Sequence, residues 1–279
     1  MSVETHFGPD RARITLAGPL DQAALLQLRR VFSSSINYYR YGVVELELQS
    51  PGGDAQAIKA LVSEMQSLRN AACAVATTAL MEAASAAAVA LAMGDVGLRV
   101  AQPYSVLLFH DARISLSAEH AMTATDANAA ARQLESLNQA IIDMLIQHII
   151  CARGGVNQMA HAGLTRCQTL QLQAERVVLE LGADAGISGQ LGTKGGKGNP
   201  SENWFKVLKE VYAGMLRKSD EALMGKFLTK LFAMDQRMPV ELAWALQLID
   251  HVSTSSVMVP ETKIDCAPSS NAPNMRLTA

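Results

Sequence analysis

Three short stretches of the sequence carry residue types that could do chemistry. Ser50-Pro51-Gly52-Gly53 follows a predicted strand, and paired glycines let the backbone turn sharply and direct N–H groups at a ligand. Ser85 begins a predicted helix of very small residues, whose N-terminus would stabilise negative charge near the hydroxyl. His110 ends a predicted apolar strand, where an imidazole is well placed to act as a base. Each stretch also has a purely structural explanation (a turn, a helix cap and a packed histidine), so none of them alone assigns a function.

The hydrophobic pattern predicts the elements that must position these residues. Apolar or alternating runs predict strands at 13–20, 43–48, 73–78 and 106–109. Apolar residues at three- and four-residue steps predict helices from Asp21, around 58–68, at 83–93 and at 118–152. Strands that alternate with helices over this length favour an α/β fold with βαβ-type crossovers.

The composition of the chain changes after Gly154-Gly155. A Gly/Lys-rich segment at 189–200 predicts a flexible loop, and helices are predicted at 203–216 and 239–248. The tail beyond Val259 is rich in Pro, Ser, Asn and Thr, which is typical of a segment without fixed structure. We therefore expect an α/β core at 1–164, an insertion at 165–230, the C-terminal part of the core at 231–258 and a disordered tail at 259–279.

Taken in order, these motifs resemble the proteolytic subunit of the Clp protease. That family has a strand, S-P-G-G, a helix, a strand, a small-residue segment with a nucleophilic serine, and a strand that ends in the catalytic histidine. His110 follows Ser85 by 25 residues, which agrees with the spacing in the family. The family's third catalytic residue is an aspartate before a terminal helix that closes on a Gly-Leu-Ile-Asp-like signature. Asp235 and Leu248-Ile249-Asp250 match those two features, and the resemblance covers residues 11–155 and 232–252.

The resemblance implies a fold and a reaction. The expected fold is an α/β spiral of ββα units of the Clp protease/crotonase type, with a helical and loop insertion before the last catalytic residue. The expected activity is that of a serine endopeptidase that needs no cofactor and no metal. Its implied site comprises the triad Ser85, His110 and Asp235, an oxyanion hole made by the N–H groups of Gly53 and Ala86, and a substrate strand beside Gly52 and Asp54. The implied partners are a peptide or unfolded protein substrate, further copies in a homo-oligomeric ring, and an AAA+ unfoldase.

Some positions depart from the family pattern. Met81 replaces the glycine four residues before the nucleophile, Ala86-Ala87 replaces Met-Gly after it, and Asp111-Ala112 stands where a proline is usual. The insertion and a short N-terminal axial segment bear on whether two rings stack and whether an ATPase docks. The lysines of the insertion would form either a basic face for a partner or an ordinary solvated helix surface.

Two other functions on the same fold stay open. A Clp-like subunit with altered residues around Ser85 could be a structural ring member or a binding module without catalysis. A crotonase-type acyl-CoA enzyme would use acidic residues as acid and base, and Glu82 could take that role. A Ser–Lys dyad is disfavoured, because no lysine lies between Ser85 and the Gly/Lys-rich segment.

The overall composition excludes several other classes. The chain has 279 residues, a formal net charge of −2 and a pI near 6.3, so nothing favours binding to nucleic acid or to an anionic membrane. The apolar stretch at 71–93 contains Glu82 and many alanines, which fits a buried strand and helix better than a membrane span. The four cysteines have no zinc-site spacing, and no signal peptide opens the chain. We expect a cytoplasmic protein with reduced thiols.

Overall fold

A computed structural model describes residues 2–8, 11–35, 42–53, 55–113, 123–184, 200–235 and 237–253. Asp54, the predicted loop up to residue 199 and the predicted tail at 259–279 lie outside these described residues.

Seven strands of the described chain form one sheet. They are β1 (Ser2–Phe7), β2 (Arg11–Ala17), β3 (Val43–Ser50), β4 (Ala74–Ala84), β5 (Arg99–Ala101), β6 (Val106–Leu108) and β7 (His251–Val252). The strand order is β1-β2-β3-β4-β5-β7, and β6 pairs with the end of β4 beyond its contact with β5. Only the β1–β2 pairing is antiparallel among these described strands. The molecule is therefore a mixed α/β protein with a mainly parallel sheet, as the alternation of predicted strands and helices indicates.

Eight helices accompany the sheet in the described residues. They are α1 (Gln22–Ser34), α2 (Ala55–Asn70), α3 (Ala86–Ala92), α4 (Ala124–Arg153), α5 (Val156–Asp184), α6 (Pro200–Lys218), α7 (Ala222–Ala233) and α8 (Val240–Ala245). The predicted N-cap of α1 is confirmed, because the Asp21 carboxylate accepts a hydrogen bond from the N–H of Ala24 at 2.8 Å.

The boundary between β4 and α3 differs from the prediction. The sequence predicts a strand that stops at Thr78 and a helix that begins at Ala83, whereas β4 continues to Ala84 and α3 begins at Ala86. The reason is tertiary pairing, since residues 82–84 pair with β6 and thereby override the high helix propensity of alanine. The difference matters because it turns Ser85 from a helix residue into the link between a strand and a helix.

The helices of the predicted insertion pack on the same hydrophobic core as the sheet. The predicted division after residue 164 falls inside α5, a continuous helix. On α6, Tyr212 is fully buried, and its hydroxyl donates a hydrogen bond to the carbonyl of Ala245 on α8 at 2.9 Å. Gly163 of α5 permits this packing, because a Cβ there would lie 2.1 Å from the Tyr212 ring. The sequence pattern alone predicts neither α5 nor α7, and β5 and β7 are too short to show a period.

A buried ion cluster fixes the chain at the end of α8. The Asp250 carboxylate accepts hydrogen bonds from Arg99 Nε at 2.8 Å and Nη2 at 2.9 Å, and from the N–H of Gly97 at 2.6 Å. Arg153 and Arg166 reach the same carboxylate at 3.2 and 3.3 Å. Burial by itself raises the pKa of Asp250, but the hydrogen bonds and positive charges of its partners outweigh burial and lower the pKa to about 2. Asp250 therefore stays ionised and ties β5, α4 and α5 to the C-terminal strand.

Candidate active site

The register of three parallel strands brings the predicted site residues to one edge of the sheet. Ser50 of β3 pairs with Ala83 of β4, and Ala84 pairs with Leu108 of β6. The N–H of Ser85 then donates to the carbonyl of Leu108 at 2.7 Å. Because parallel strands all end at the same edge, the segments that follow β3, β4 and β6 meet there. Those segments carry Gly52-Gly53, Ser85 and His110.

Ser85 has the backbone conformation of a strained strand-to-helix turn. Its φ is +54° and its ψ is −123°, a combination that non-glycine residues rarely adopt and that costs on the order of 1–3 kcal/mol. The side chain is half-buried, and although Ser85 is the N-cap residue of α3, its hydroxyl makes no capping hydrogen bond. Strain of this kind at a strand–helix turn is typical of a nucleophile whose hydroxyl must point away from the backbone. Sequence reasoning placed Ser85 at a helix start and missed this turn.

The Gly-Gly turn exists because the backbone passes very close to its neighbours. Gly52 has φ +93°, and a Cβ on it would lie 2.5 Å from the Cβ of Ser85. A Cβ on Gly53 would lie 1.9 Å from the carbonyl oxygen of Leu20. The carbonyl of Gly52 accepts a hydrogen bond from the N–H of Leu20 at 2.7 Å, which holds the turn against the start of the α1 segment. Both positions therefore require glycine, and the turn is pressed against Ser85.

A cavity of about 410 Å³ opens at this edge of the sheet. Four predicted site residues line it, namely Gly53, Ser85, Ala86 and His110. The rest of its wall combines the apolar side chains of Ile58, Val89, Phe109, Ile141 and Phe232 with the polar residues Asp111, Arg113 and Asn138. Its size and mixed lining suit a site that holds part of a ligand against a few fixed polar groups.

One ring nitrogen of His110 is held by a backbone carbonyl. Its Nδ1 lies 2.6 Å from the carbonyl oxygen of Asp111. Because a carbonyl can only accept, Nδ1 carries the hydrogen, so the lone pair of the neutral form of the ring is on Nε2. A general base of this geometry accepts a proton at Nε2. Within the described residues, no hydrogen bond joins His110 to Ser85 or to Asp235.

Asp235 lies on the segment between α7 and α8 and is not among the described residues that line the cavity. That segment crosses β6, since the Phe232 ring stacks on Phe109 with centroids 5.3 Å apart, and the N–H of Met238 donates to the Leu107 carbonyl at 2.8 Å. The carboxylate of Asp235 forms an ion pair with the guanidinium of Arg113. The pair is exposed, with 43% of the Asp235 side chain and 63% of the Arg113 side chain accessible.

The structure thus brings Ser85, His110, Gly53 and Ala86 around one cavity and connects Asp235 to that cavity through Arg113. The carboxylate of Asp235 faces Arg113, a residue that sequence reasoning missed because nothing in its local pattern distinguishes it from any exposed arginine. Glu82 is exposed on β4 and is absent from the cavity wall formed by the described residues.

The structure also bears on metal binding and on membrane spanning. Within the described residues, no group of three or more His, Cys, Asp or Glu side chains is arranged to hold a metal ion. Among the described helices, none combines the length and apolar character needed to cross a bilayer.

The family model of the Clp protease matches residues 40–160. This range contains β3, the Gly-Gly turn, Ser85, His110 and α4, and it includes every residue that lines the cavity except Phe232. Asp235 and the elements after Ala160 lie beyond it.

Proposed function

We propose that this Clp protease-like protein is a serine endopeptidase in which Ser85, His110 and Asp235 form the catalytic triad. The observation that carries the proposal is the strained turn at Ser85, which lies between β4 and α3 on the wall of the cavity that His110 also lines. Acyl transfer needs a nucleophile and a base at one site, and Ser85 and His110 supply those two groups on the wall of the same cavity.

In the proposed reaction, Ser85 Oγ attacks the carbonyl carbon of a peptide bond while its proton passes to His110 Nε2. The negative oxygen of the tetrahedral intermediate accepts hydrogen bonds from the N–H groups of Gly53 and Ala86. Ala86 is the first residue of α3, so its N–H has no acceptor within the helix. Such donors each stabilise the transition state by about 3 kcal/mol.

Collapse of the intermediate breaks the C–N bond, and His110 returns the proton to the leaving amine. Water then attacks the acyl-serine ester with His110 again as the base, which releases the carboxylate product and restores the Ser85 hydroxyl. Asp235 would orient the imidazole and stabilise its cationic form. For that role its carboxylate must leave Arg113 and accept the Nδ1–H of His110, which the Asp111 carbonyl accepts in the present structure.

The remaining parts of the proposal concern substrate and assembly. An extended peptide would pair with the backbone beside Gly52 and Asp54, as edge-on strand addition does elsewhere. We further propose the spiral arrangement of ββα units, a homo-oligomeric ring, and an AAA+ unfoldase as a partner.

Residues 165–230 could alter the stacking of two rings. If they do, mass photometry will show a particle smaller than a double ring, and a double ring would contradict that role.

One observation favours a second candidate, a Clp-like subunit without catalysis. Neither the carboxylate of Asp235 nor the Nδ1 of His110 engages the other in this structure. Such a subunit would keep the fold and bind peptides without cutting them.

Labelling with a fluorophosphonate probe separates the two functions. The probe reacts only with an activated serine, because Ser85 Oγ must displace fluoride from phosphorus as its proton passes to His110. We expect labelling of the wild type, loss of labelling in Ser85→Ala and His110→Ala, and full labelling in Ser67→Ala, which removes an exposed serine on α2. Labelling that survives in Ser85→Ala would exclude Ser85 as the nucleophile, and an unlabelled but folded wild type would favour the non-catalytic subunit.

A further inference from the structure

The ion pair between Arg113 and Asp235 occupies the one carboxylate that the proposed triad needs. We propose that Arg113 is a positioning residue that holds the carboxylate of Asp235 away from His110, so that breaking this ion pair is the step that completes the triad. The inference rests on the proposed function of Ser85, His110 and Asp235, and it adds a residue that this function does not itself require.

The backbone on both sides of Asp235 is already in place. Phe232 stacks on Phe109, and Met238 bonds to Leu107, so the segment is fixed against β6 before and after Asp235. His110 directly follows Phe109 on the same stretch of chain. The chain before and after Asp235 is therefore held on the same strand that leads into His110.

Two donors compete for the Asp235 carboxylate from one short segment. Arg113 lies three residues after His110 and lines the same cavity. Its guanidinium is always charged, whereas the Nδ1 of His110 is already hydrogen-bonded to the Asp111 carbonyl. The carboxylate consequently stays with Arg113 in the resting protein. Once His110 takes the Ser85 proton, its positive charge attracts the same carboxylate.

The ion pair is weak enough to be broken during turnover. Both side chains are exposed, and an exposed ion pair favours the paired over the separated side chains by about fivefold at most. Salt screens such a pair, so raising the ionic strength releases Asp235.

The labelling probe for this test must be uncharged, so that salt acts on the protein alone. Diisopropyl fluorophosphate is uncharged and reacts with activated serines.

The rate of labelling by diisopropyl fluorophosphate tests the proposal in the full chain. At low salt we expect Arg113→Gln to label about fivefold faster than the wild type, because the carboxylate of Asp235 is free to bind His110. Arg113→Lys keeps the positive charge and should label at the wild-type rate. Arg132→Gln removes an exposed arginine of α4 and serves as the matched control.

The dependence of the labelling rate on salt concentration provides a second test of the proposal. The ratio of the Arg113→Gln rate to the wild-type rate should fall towards one as salt is added, because salt screens the ion pair that only the wild type has. The gain in Arg113→Gln should vanish when Asp235→Asn is added. Equal rates for wild type and Arg113→Gln at low salt, or a ratio that does not fall with added salt, would overturn the proposal.

An NMR readout keeps this proposal separable from the peptidase function. In ¹⁵N-histidine-labelled protein, the His110 Nδ1 proton should move downfield in Arg113→Gln, since a carboxylate is a stronger acceptor than a carbonyl. The shift should disappear in the Arg113→Gln/Asp235→Asn double variant. A downfield shift without labelling of any variant would support the ion-pair switch and overturn the peptidase function. Labelling of the wild type with an unmoved His110 signal in Arg113→Gln would support the peptidase function and overturn the proposed role of Arg113.

Discussion

Two aspartates that lie 15 residues apart in the C-terminal part of the chain bind arginine in opposite ways. The side chain of Asp250 is 2% exposed and contacts Arg99, whose side chain is fully buried. The side chain of Asp235 is 43% exposed and contacts Arg113, which is itself exposed. Among the described residues, three arginines surround the first carboxylate and one contacts the second.

Burial decides what each of these pairs can do. Asp250 cannot give up a partner without leaving an uncompensated charge in the core, so its arginines act as a permanent connection between elements. Asp235 can exchange its arginine for water or for another donor at little cost, because the solvent compensates the charge. The same two residue types therefore fix the fold in one region and leave a choice of partner open in the other.

The largest expected effect comes from breaking the buried pair. Asp250→Asn leaves Arg99 buried and partly unpaired, and we expect it to lower the free energy of unfolding by about 3–5 kcal/mol. Urea unfolding followed by circular dichroism measures this change. Asp143→Asn, which alters an exposed aspartate on α4, should change the same quantity by less than about 0.5 kcal/mol. A loss below about 1 kcal/mol in Asp250→Asn would contradict the assignment of Asp250 as a fixed connection.

A smaller effect comes from titrating the buried pair with acid. The pKa of Asp250 is about 2 in the folded protein and 3.8 in the ordinary group. A lowered folded pKa means that the stabilisation is complete above about pH 4 and is lost as the pH falls towards 2, which amounts to roughly 2 kcal/mol. A ¹³C carboxyl NMR titration of Asp250 measures the folded pKa directly. A midpoint at or above 3.8 would show that the arginines do not outweigh burial.

The contrast also explains which parts of the site the sequence could predict. The Gly-Gly turn, Ser85 and His110 are local motifs that follow strands, and parallel strands carry such motifs to a common edge wherever the register falls. Asp235 was predicted from its place before a terminal helix. That place fixes the backbone position and leaves the direction of its carboxylate undetermined.

The features that sequence reasoning missed all depend on contacts between distant residues. The extension of β4 to Ala84 arises from pairing with β6, and the strained turn at Ser85 follows from that extension. Arg113 acquires its role only because the segment that leads into α8 crosses β6 beside it. Neither contact leaves a periodic pattern in the chain, so neither can be inferred from spacing.

The smallest expected change in stability comes from the exposed pair, and it separates stability from reactivity. Asp235→Asn should alter the free energy of unfolding by less than about 0.5 kcal/mol, because the lost pair is exposed. Asparagine is the right replacement, since the φ of residue 235 is +50° and asparagine tolerates that region better than alanine does. If Asp235 stabilises the His110 cation, fluorophosphonate labelling should nevertheless fall by roughly 10²- to 10⁴-fold. A loss of about 10²-fold is expected if the Asp111 carbonyl alone keeps the hydrogen of His110 on Nδ1. A loss of about 10⁴-fold is expected if that tautomer depends on Asp235. An unchanged labelling rate would remove Asp235 from the triad, and a loss of stability like that of Asp250→Asn would erase the distinction between the two pairs.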